Sequence, residues 1–303
     1  MPAGLCTGRV VVVTGAGNGI GRAHALAFAA QGAEVVVNDL GGGRDGGGSS
    51  AGPAQTVADE ITAAGGRAVA NTDDISSWAG AQRLIGQAVE AFGGLDVVVN
   101  NAGILRDRMI VTMTEQDWDA VIGVHLKGTF AVLHHAAAYW RQRAKEGHAN
   151  DARVINTTSP SGLFGNPGQA NYGAAKAGIA SLTIIAAREL GRYGVTVNAI
   201  APTALTRMTE DIEMMRTAAA STDLSPEAIS PLVVWLGSAE SRAVTGRVFG
   251  VWGNAITVLE GWINGPSVSR DTRWNPAELS AVVPDLVAKA APNADTVGNR
   301  EVR

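Results

Sequence analysis

A serine, a tyrosine and a lysine with the makings of a proton-transfer site lie within eighteen residues of this 303-residue chain, at Ser159, Tyr172 and Lys176. If the segment from Asn171 to Arg192 is a helix, the i, i+4 spacing places the phenol and the ammonium on one face, one turn apart. A neighbouring cation favours the phenolate, so we expect Lys176 to lower the pKa of Tyr172 from its usual value of about 10 toward neutrality. Ser159 can hydrogen-bond the same substrate oxygen.

The spacing of the tyrosine and the lysine also has an ordinary structural explanation. Such pairs arise by chance on amphipathic helices, where the tyrosine packs at the edge of a core and the lysine is solvated. The chemical interpretation therefore needs support from elsewhere in the chain.

A glycine-rich turn near the N-terminus gives that support. The β-branched run Arg9-Val-Val-Val-Val-Thr14 predicts a buried parallel strand, and a predicted helix at 22–31 follows the turn. Free N–H groups and the positive end of the helix dipole would face a pyrophosphate there, and the missing side chains permit close approach. We expect a dinucleotide to bind at Gly15, Asn18, Gly19, Ile20 and Gly21.

A carboxylate ends the second predicted strand, Ala33-Glu-Val-Val-Val-Asn-Asp39, eighteen residues after Gly21. Asp39 can accept hydrogen bonds from both hydroxyls of an adenosine ribose, and its charge would repel a 2′-phosphate. An aspartate at a strand end is also a common turn former. The strand, turn and helix before it favour the ribose, so we expect the cofactor to be NAD rather than NADP.

Several of these motifs occur together in the order of a known family. Thr14-Gly15-(x)3-Gly19-x-Gly21, Asn100-Asn-Ala-Gly103, Ser159 and Tyr172-(x)3-Lys176 resemble the short-chain dehydrogenase/reductase family over roughly residues 8 to 255. Shorter stretches such as Val37-Asn-Asp-Leu-Gly-Gly42 are similar to its 3-hydroxyacyl-CoA and 17β-hydroxysteroid dehydrogenases. The resemblance implies an oxidoreductase in which Tyr172 is the base, Ser159 stabilises the substrate oxygen, and Lys176 also binds the nicotinamide ribose.

The same resemblance implies further cofactor contacts. Asp74 and Ile75 would meet the adenine, although an aspartate before Ser76 could equally cap a helix. Asn101, Ala102 and Gly103 would close the nicotinamide side, with Gly103 letting the dinucleotide lie close. The segment after the sixth strand departs from the family's usual Pro-Gly, and we expect its cofactor contacts at Pro202, Ala204, Leu205 and Thr206.

His125 is the remaining catalytic candidate. It stands where many members of the family carry an asparagine that bends a helix and anchors a water bound by the lysine. A neutral imidazole could hold that water or relay a proton, since its usual pKa is about 6.5, whereas a lone histidine on a helix is more often a packed core residue. The other histidines show no ligand spacing, and no metal cluster is visible in the sequence; we interpret as structural His24, His134, His135 and His148.

Predicted strands and helices alternate along the chain. Further strands follow at 67–71, 96–100, 153–158, 196–201 and 247–252, and one long helix runs from Thr114 toward Arg143. The alternation predicts an α/β fold: a doubly wound (Rossmann) seven-stranded parallel sheet flanked by helices, with ligands beyond the carboxyl ends of the strands.

We expect two regions in one folded unit. Residues 1–255 would form the NAD-binding domain, with a substrate loop near 203–222, and residues 256–303 a C-terminal extension packed on that domain, frayed from Asp295 onward. The glycine-rich segment 41–52 is interpreted as a flexible solvated connection, with a lid over the adenosine as the alternative.

The substrate loop is rich in methionine, which usually indicates core packing but here predicts an adaptable wall for an acyl chain or a sterol. The residues of that wall would be Met208, Met214, Met215, Ile104, Leu163 and Phe164. Arg106 and Arg108 could meet CoA phosphates or lie exposed. We therefore expect NAD-dependent oxidation of a secondary alcohol, on a 3-hydroxyacyl-CoA or alternatively a hydroxysteroid. A non-catalytic NAD-sensing protein is a third possibility.

Composition narrows the partners and the compartment. A net charge of −4 without a basic run gives no reason to expect nucleic acid, and 46% hydrophobic content is enough for one large core. The single cysteine, Cys6, fits a reducing compartment. The first strand begins within nine residues and no apolar run is long enough to span a bilayer, so we expect no signal peptide, no membrane and a cytoplasmic protein. The small residues of Gly173-Ala-Ala-Lys-Ala-Gly178 suit a homodimer or homotetramer.

Overall fold

Short β-branched runs build one twisted sheet. The computed structural model describes residues 4–206 and 213–300. The seven parallel strands, β1 to β7, are Val10–Thr14, Glu34–Asn38, Arg67–Asn71, Val97–Asn100, Ala152–Thr157, Val195–Thr203 and Val248–Trp252. They lie in the order β3-β2-β1-β4-β5-β6-β7, so the predicted doubly wound parallel sheet is confirmed.

The sheet has one strand more than predicted. Strand β8, Ala255–Leu259, pairs antiparallel with β7, and a glycine with φ +53 at Gly253 turns the chain between them. Most of β8 is exposed, so its sequence lacks the continuous burial that identified the other strands. The sheet therefore extends past residue 255, into the region predicted as a C-terminal extension.

Helices cover both faces of the sheet. The bounds of α1 to α10 are Gly19–Ala30, Gly52–Ala63, Trp78–Phe92, Glu115–Ile122, Gly128–Lys145, Pro160–Phe164, Ala170–Leu190, Glu213–Ala219, Ser230–Gly237 and Leu279–Lys289. Helices α1, α2 and α9 pack on one face, around Phe28, Val57 and Leu232, and α3, α5 and α7 pack on the other, around Leu84 and Val132. Among the described residues, no helix has both the length and the apolar character that a bilayer crossing demands.

Paired asparagines close the carboxyl edge of the sheet. Asn38 and Asn71 are in register on β2 and β3, and the amide of Asn38 donates to the Asn71 side chain at 2.6 Å. Asn100 and Asn156 form the same pairing on β4 and β5, at 2.9 Å. Buried side-chain amides are stable when they satisfy one another. These pairs fix the level at which the strands end, and therefore the level from which the next residues enter the site.

The long helix predicted from Thr114 is interrupted. Thr114 caps α4 in a reciprocal capping box with Asp117, as expected for a helix start. A five-residue π-helical turn at Gly123–Lys127 then separates α4 from α5. A π turn inserts an extra residue without ending the helix, and it is frequent at functional sites. Here it carries His125.

The C-terminal region ends in an ordered turn at residues 295–299, where we expected fraying. The Asp295 carboxylate accepts hydrogen bonds from the N–H groups of Val297 and Asn299, at 3.0 and 2.8 Å. The N–H of Asp295 also donates to the Asn299 carbonyl at 2.8 Å. These local bonds satisfy the main chain without a strand or a helix, which is why no periodic sequence pattern predicted them.

Candidate active site

A cleft of about 650 Å³ lies beyond the carboxyl ends of the central strands. The predicted site residues that line it are Gly15, Asn18, Gly19, Ile20, Gly21, Asp39, Asp74, Ile75, Asn101, Ala102, Gly103, His125, Ser159, Tyr172, Lys176, Pro202, Ala204 and Thr206. Leu205, predicted with them, instead donates its N–H to the Leu224 carbonyl at 2.6 Å. Residues far apart in sequence thus share one cavity, because parallel strands end at one edge.

The three proton-transfer candidates are neighbours in this cleft. Ser159 follows β5 and is the N-cap of α6, and its hydroxyl lies near enough to the phenol of Tyr172 to lower that group's pKa. Lys176 lies one turn after Tyr172 on α7, with its Nζ 5.5 Å from the centroid of the phenol ring. The ammonium donates to the carbonyl of Thr157 at the end of β5, at 2.6 Å. Helix α7 and strand β5 therefore hold the serine, the phenol and the amine together.

Burial dominates the ionisation of this pair. The Lys176 side chain is 3% exposed, and burial lowers its pKa to about 7. Burial also raises the pKa of Tyr172 above its ordinary value, against the hydrogen bond from Ser159, and the charge of Asp107 raises it further. The expectation that Lys176 lowers the Tyr172 pKa is therefore wrong in direction. A lysine that has itself lost much of its charge near pH 7 exerts little attraction on a phenolate.

His125 lies beside the phenol of Tyr172. Its side chain is 1% exposed and meets Tyr172 edge to face, with ring centroids 5.1 Å apart. Nε2 is 2.8 Å from the carbonyl oxygen of Ile104, and Nδ1 has no hydrogen-bond partner in the described part of the chain. Burial, followed by the charge of Lys176, lowers the imidazole pKa to about 3. The ring is therefore neutral at physiological pH, and its free nitrogen lies within the catalytic neighbourhood.

Gly103 makes room for this imidazole. A Cβ at Gly103 would lie 2.3 Å from Cε1 of His125, closer than any real contact. We expected the glycine to admit the dinucleotide, whereas the steric constraint in the structure comes from the histidine. The glycine of the Asn-Ala-Gly motif therefore leaves the space that the histidine on the π turn occupies.

The glycine turn before α1 fits a pyrophosphate. A Cβ at Gly21 would lie 2.1 Å from the Gly15 carbonyl oxygen, so the turn packs tightly only without side chains. Asn18, the N-cap of α1, makes no side-chain cap, which leaves the first N–H groups of the helix available to an anion. Asn101 secures the turn from the opposite side, since its amide donates to the carbonyls of Thr14 and Gly15 at 3.1 and 3.2 Å.

Asp39 lies at the other end of the cleft, as predicted from its place after β2. Its two carboxylate oxygens accept from the N–H groups of Gly17 and Gly41, at 2.8 and 2.7 Å. A carboxylate has about four acceptor positions, so hydroxyl groups of a ribose can still bind. Asp39 therefore also holds the glycine turn against the segment that follows β2.

Asp74 and Ile75 enter the cleft from the end of β3. The Asp74 carboxylate accepts from the N–H of Ser76 at 2.8 Å, which forms a local turn, and the cap of α3 is Ser77. The alternative interpretation of Asp74 as a helix cap is therefore not what the structure has. Ile75 is 6% exposed and packs against Gly128, where it forms an apolar surface of the cleft.

Asn171 was missed by the sequence analysis. It is fully buried in the first turn of α7, and its amide donates to the carbonyls of Arg106 and Asp117, at 3.0 and 3.1 Å. Its side-chain oxygen accepts from the N–H of Tyr172 at 2.7 Å. A polar residue directly before Tyr172 was the available signal, but its partners lie more than fifty residues away. Asn171 therefore ties Tyr172 to α4 and to the segment after β4.

Apolar residues also line the cleft. They are Ile104, Leu105, Val124, Trp252 and Val297, the last from the C-terminal turn. Of the predicted apolar wall, Ile104 is in place, whereas Phe164 packs on that turn, 2.8 Å from where a Cβ of Gly298 would be. Residues 207–212 of the predicted substrate loop, with Met208, lie outside the described residues.

The two arginines considered for CoA have protein partners. Arg106 donates through Nε to the Asp45 carbonyl at 2.8 Å and lies 4.0 Å from the Asp117 carboxylate. Arg108 donates to the Asp107 carbonyl at 2.9 Å. Across the described residues, no three histidine, cysteine, aspartate or glutamate side chains gather as a metal site would require.

Comparison with known proteins identifies the family to which this site belongs. The family model "short chain dehydrogenase" matches residues 9–217, more than two thirds of the chain. The chain belongs to the short-chain dehydrogenase family. As a member, this dehydrogenase is an oxidoreductase that acts on CH–OH groups with a nicotinamide dinucleotide.

Two named relatives of this dehydrogenase align with most of its chain. It is 47% identical over 300 residues to "Hydroxyacyl-CoA dehydrogenase ChsB1" of Mycobacterium tuberculosis, covering 94% of this chain and 90% of that protein. It is also 47% identical over 229 residues to "Peroxisomal multifunctional enzyme type 2" of Mus musculus, where the match covers 76% of this chain and 30% of that protein. The dehydrogenase thus spans under a third of that enzyme.

A solved structure has the same fold throughout. The crystal structure of a short chain dehydrogenase from Mycobacterium avium matches with a TM-score of 0.88 and 59% identity, covering 98% of this chain and all of that one. The match includes the C-terminal region beyond the family model, so the extension is shared by that structure.

Proposed function

We propose that this dehydrogenase oxidises the secondary alcohol of a 3-hydroxyacyl-CoA with NAD. The observation that carries the proposal is one cleft lined by Ser159, Tyr172 and Lys176, by apolar residues such as Ile104, and by Asp39. The printed name of one relative, the hydroxyacyl-CoA dehydrogenase of Mycobacterium tuberculosis, supports the substrate class.

The chain's own residues supply the proton transfer. The substrate hydroxyl lies between Ser159 and Tyr172. Tyr172 first passes its own proton by way of Lys176 to solvent, and its phenolate oxygen then takes the proton of the substrate hydroxyl as the carbonyl forms. Ser159 donates a hydrogen bond to the oxygen, where such a donor is worth roughly a hundredfold to a thousandfold in rate. A bound nicotinamide supplies the hydride acceptor. Lys176 holds the nicotinamide ribose, and His125, through its free Nδ1, holds a water that links Lys176 to solvent.

NAD is the proposed coenzyme because of Asp39. Its carboxylate is already held in place by two main-chain N–H groups, so it cannot swing away from a 2′-phosphate without releasing them. Like charges at contact distance disfavour binding. Pyrophosphate contacts are assigned to the glycine turn, and contacts of the nicotinamide end to Asn101, Ala102, Gly103 and the segment with Pro202, Ala204 and Thr206.

The apolar residues that line the cleft support a lipid-like substrate. Ile104, Leu105, Val124, Trp252 and Val297 offer few hydrogen-bonding groups to a sugar. An acyl chain fits such a surface, and a hydroxysteroid is the second candidate because a fused ring system is equally apolar. The homodimer or homotetramer and the cytoplasmic location expected from the sequence remain proposals, for which size-exclusion chromatography and fractionation are the tests.

The decisive experiment compares substrates on the purified protein. NADH formation at 340 nm is followed with 3-hydroxyacyl-CoA esters of several chain lengths and with 17β-hydroxysteroids, each with NAD and NADP. We expect turnover with the CoA esters and NAD. Inactivity toward both classes, with NADH still bound, would instead support the NAD-sensing alternative.

Tyr172→Phe is the matched variant in that assay. It removes only the phenol oxygen, so we expect turnover to fall by at least about a hundredfold while NADH binding stays within about twofold of the wild type. Undiminished oxidation by Tyr172→Phe would show that another group takes the proton.

A further inference from the structure

Residues 41–50, here called the strap, form a closed loop after β2. The N–H of Gly41 donates to the Asp39 carboxylate, and the N–H of Ser50 donates to the Leu40 carbonyl at 2.9 Å, which closes the base. Gly43 donates to the Gly47 carbonyl at 2.7 Å nearer the tip. The segment expected to be a flexible connection therefore has a defined hydrogen-bonded shape.

The tip of the strap is fastened to the opposite side of the cleft. The carbonyl of Arg44 accepts from the N–H of Leu105 at 3.0 Å, and the carbonyl of Asp45 accepts from Nε of Arg106 at 2.8 Å. Gly46 packs against Ile104, whose Cδ1 would lie 3.1 Å from a Cβ on the glycine. These contacts join the strap to residues 104–106, which follow the Asn-Ala-Gly motif.

The path of the strap crosses the dinucleotide groove. Strands β2 and β4 lie on either side of β1, so a segment that leaves β2 and contacts residues after β4 must pass over the end of β1, where the glycine turn begins. Leu40, Gly42, Gly43, Arg44 and Gly46 accordingly line the same cleft as Gly15, Asn18 and Tyr172.

We infer that the strap is a clasp that retains the dinucleotide, latched by main-chain contacts to residues 104–106. The inference rests on the proposed nicotinamide-dependent function. Latched, the strap adds a third wall to the coenzyme groove between the ribose carboxylate Asp39 and the catalytic end. Entry and release of the coenzyme require the latch to open, which breaks the two hydrogen bonds to Leu105 and Arg106 and the contact with Ile104.

Two glycines of the strap provide a matched test. Gly46 and Gly48 both have positive φ, at +86 and +75, so alanine imposes a similar backbone strain at either position. A Cβ at Gly46 pushes the strap away from Ile104, whereas a Cβ at Gly48 meets nothing within 4 Å. Comparing Gly46→Ala with Gly48→Ala therefore distinguishes loss of the contact with Ile104 from the effect of a stiffer loop backbone, which both variants share.

NADH release is the first readout. In stopped-flow displacement followed by NADH fluorescence, we expect Gly46→Ala to release NADH about fivefold faster or more, the factor for losing one typical hydrogen bond. Gly48→Ala should stay within about twofold of the wild type. Equal rates for the two variants, with NADH bound by the wild type, would overturn the clasp alone. Failure of the wild type to bind NADH would overturn both the clasp and the proposed function.

Tryptic cleavage after Arg44 is a second readout that needs no turnover. The Arg44 carbonyl belongs to the latch, so a latched strap resists cleavage at that bond. Without coenzyme, we expect Gly46→Ala to be cut severalfold faster than Gly48→Ala, and NADH to protect the wild type. Identical cleavage rates in both variants, unaffected by NADH, would refute the latch even if the enzyme were active.

Discussion

Replacing Lys176 with methionine should stabilise this dehydrogenase near neutral pH while it removes activity. The side chain is 3% exposed, and burial lowers its pKa from 10.5 to about 7. Methionine fills a similar volume without a charge. The proposed role of Lys176 in proton transfer would thus come at a cost in stability, as is common for groups in active sites.

The magnitude follows from the difference between the two pKa values. The fall of the Lys176 pKa from 10.5 to about 7 means that burying the charged amine in the folded protein costs about 5 kcal/mol, at 1.36 kcal/mol per pH unit. The variant also loses the hydrogen bond from Nζ to the Thr157 carbonyl, worth about 2 kcal/mol for a charged donor. A net gain of roughly 3 kcal/mol at pH 7 is therefore expected for Lys176→Met.

The pH dependence gives the sharper test. Between pH 7 and 10 the unfolded lysine keeps its proton while the folded one loses it, so the wild type becomes more stable as pH rises. The advantage of Lys176→Met should shrink by about 3 kcal/mol over that range. Equilibrium urea unfolding at pH 7 and pH 10 measures both values, with all other titrating groups common to the two proteins.

An exposed lysine is the control. Lys289 in α10 pairs with Asp285 at the surface, so Lys289→Met should change the free energy of unfolding by less than about 0.5 kcal/mol at either pH. If the stability difference between Lys176→Met and the wild type were the same at pH 7 and pH 10, the assignment of a lowered lysine pKa to burial would be refuted.

Three further changes test other contacts of the site. Gly103→Ala forces a Cβ to within 2.3 Å of His125, so urea unfolding should show a loss of about 1–3 kcal/mol. The control Gly123→Ala should show no loss, or a gain of up to about 1 kcal/mol, because its Cβ meets nothing within 4 Å and alanine favours a helix. Equal midpoints for the two variants would refute the contact. Burial lowers the pKa of His125 to about 3. As the pH falls below 6.5, the imidazole therefore gains a proton in the unfolded state but not in the folded state, which lowers the free energy of unfolding. The wild type should accordingly lose about 3 kcal/mol relative to His125→Asn between pH 7 and pH 4, and parallel pH curves would count against a buried neutral imidazole. Asp39→Ser should raise the ratio of NADPH affinity to NADH affinity at least about tenfold in fluorescence titrations, because the negative charge that repels the 2′-phosphate is lost. An unchanged ratio would reject the role of Asp39 in coenzyme choice.

Local patterns were sufficient for much of the fold. The run Val10–Thr14, the glycines after it and the acid at Asp39 predicted strand, turn, helix and strand in the order observed, because each signal lies within a few residues of the element it specifies. Strand β8 and the C-terminal turn were missed because neither has a buried face or a helical period. The π turn at Gly123–Lys127 was missed because an inserted residue leaves the apolar pattern of a helix almost unchanged.

The docking of the strap and the role of Asn171 depend on distant partners. Gly41 to Gly52 reads as a flexible linker by composition, and its order comes from hydrogen bonds to Leu105 and Arg106, some sixty residues away. Asn171 similarly joins carbonyls from two other segments. A sequence pattern shows which groups a segment offers, whereas the identity of their partners is decided when the sheet brings those segments to one edge.

Residue types and spacing were enough to predict the reactive groups of the site. These are a phenol and an amine one helical turn apart, a serine before them, and a carboxylate and a glycine-rich turn for a dinucleotide. Tertiary structure decided how those groups ionise. Lys176, Tyr172 and His125 have pKa values set first by burial, and burial depends on every segment that packs around them. Because desolvation outweighs the attraction of one neighbour, the spacing of Tyr172 and Lys176 identified the site but gave the wrong direction for the tyrosine's pKa.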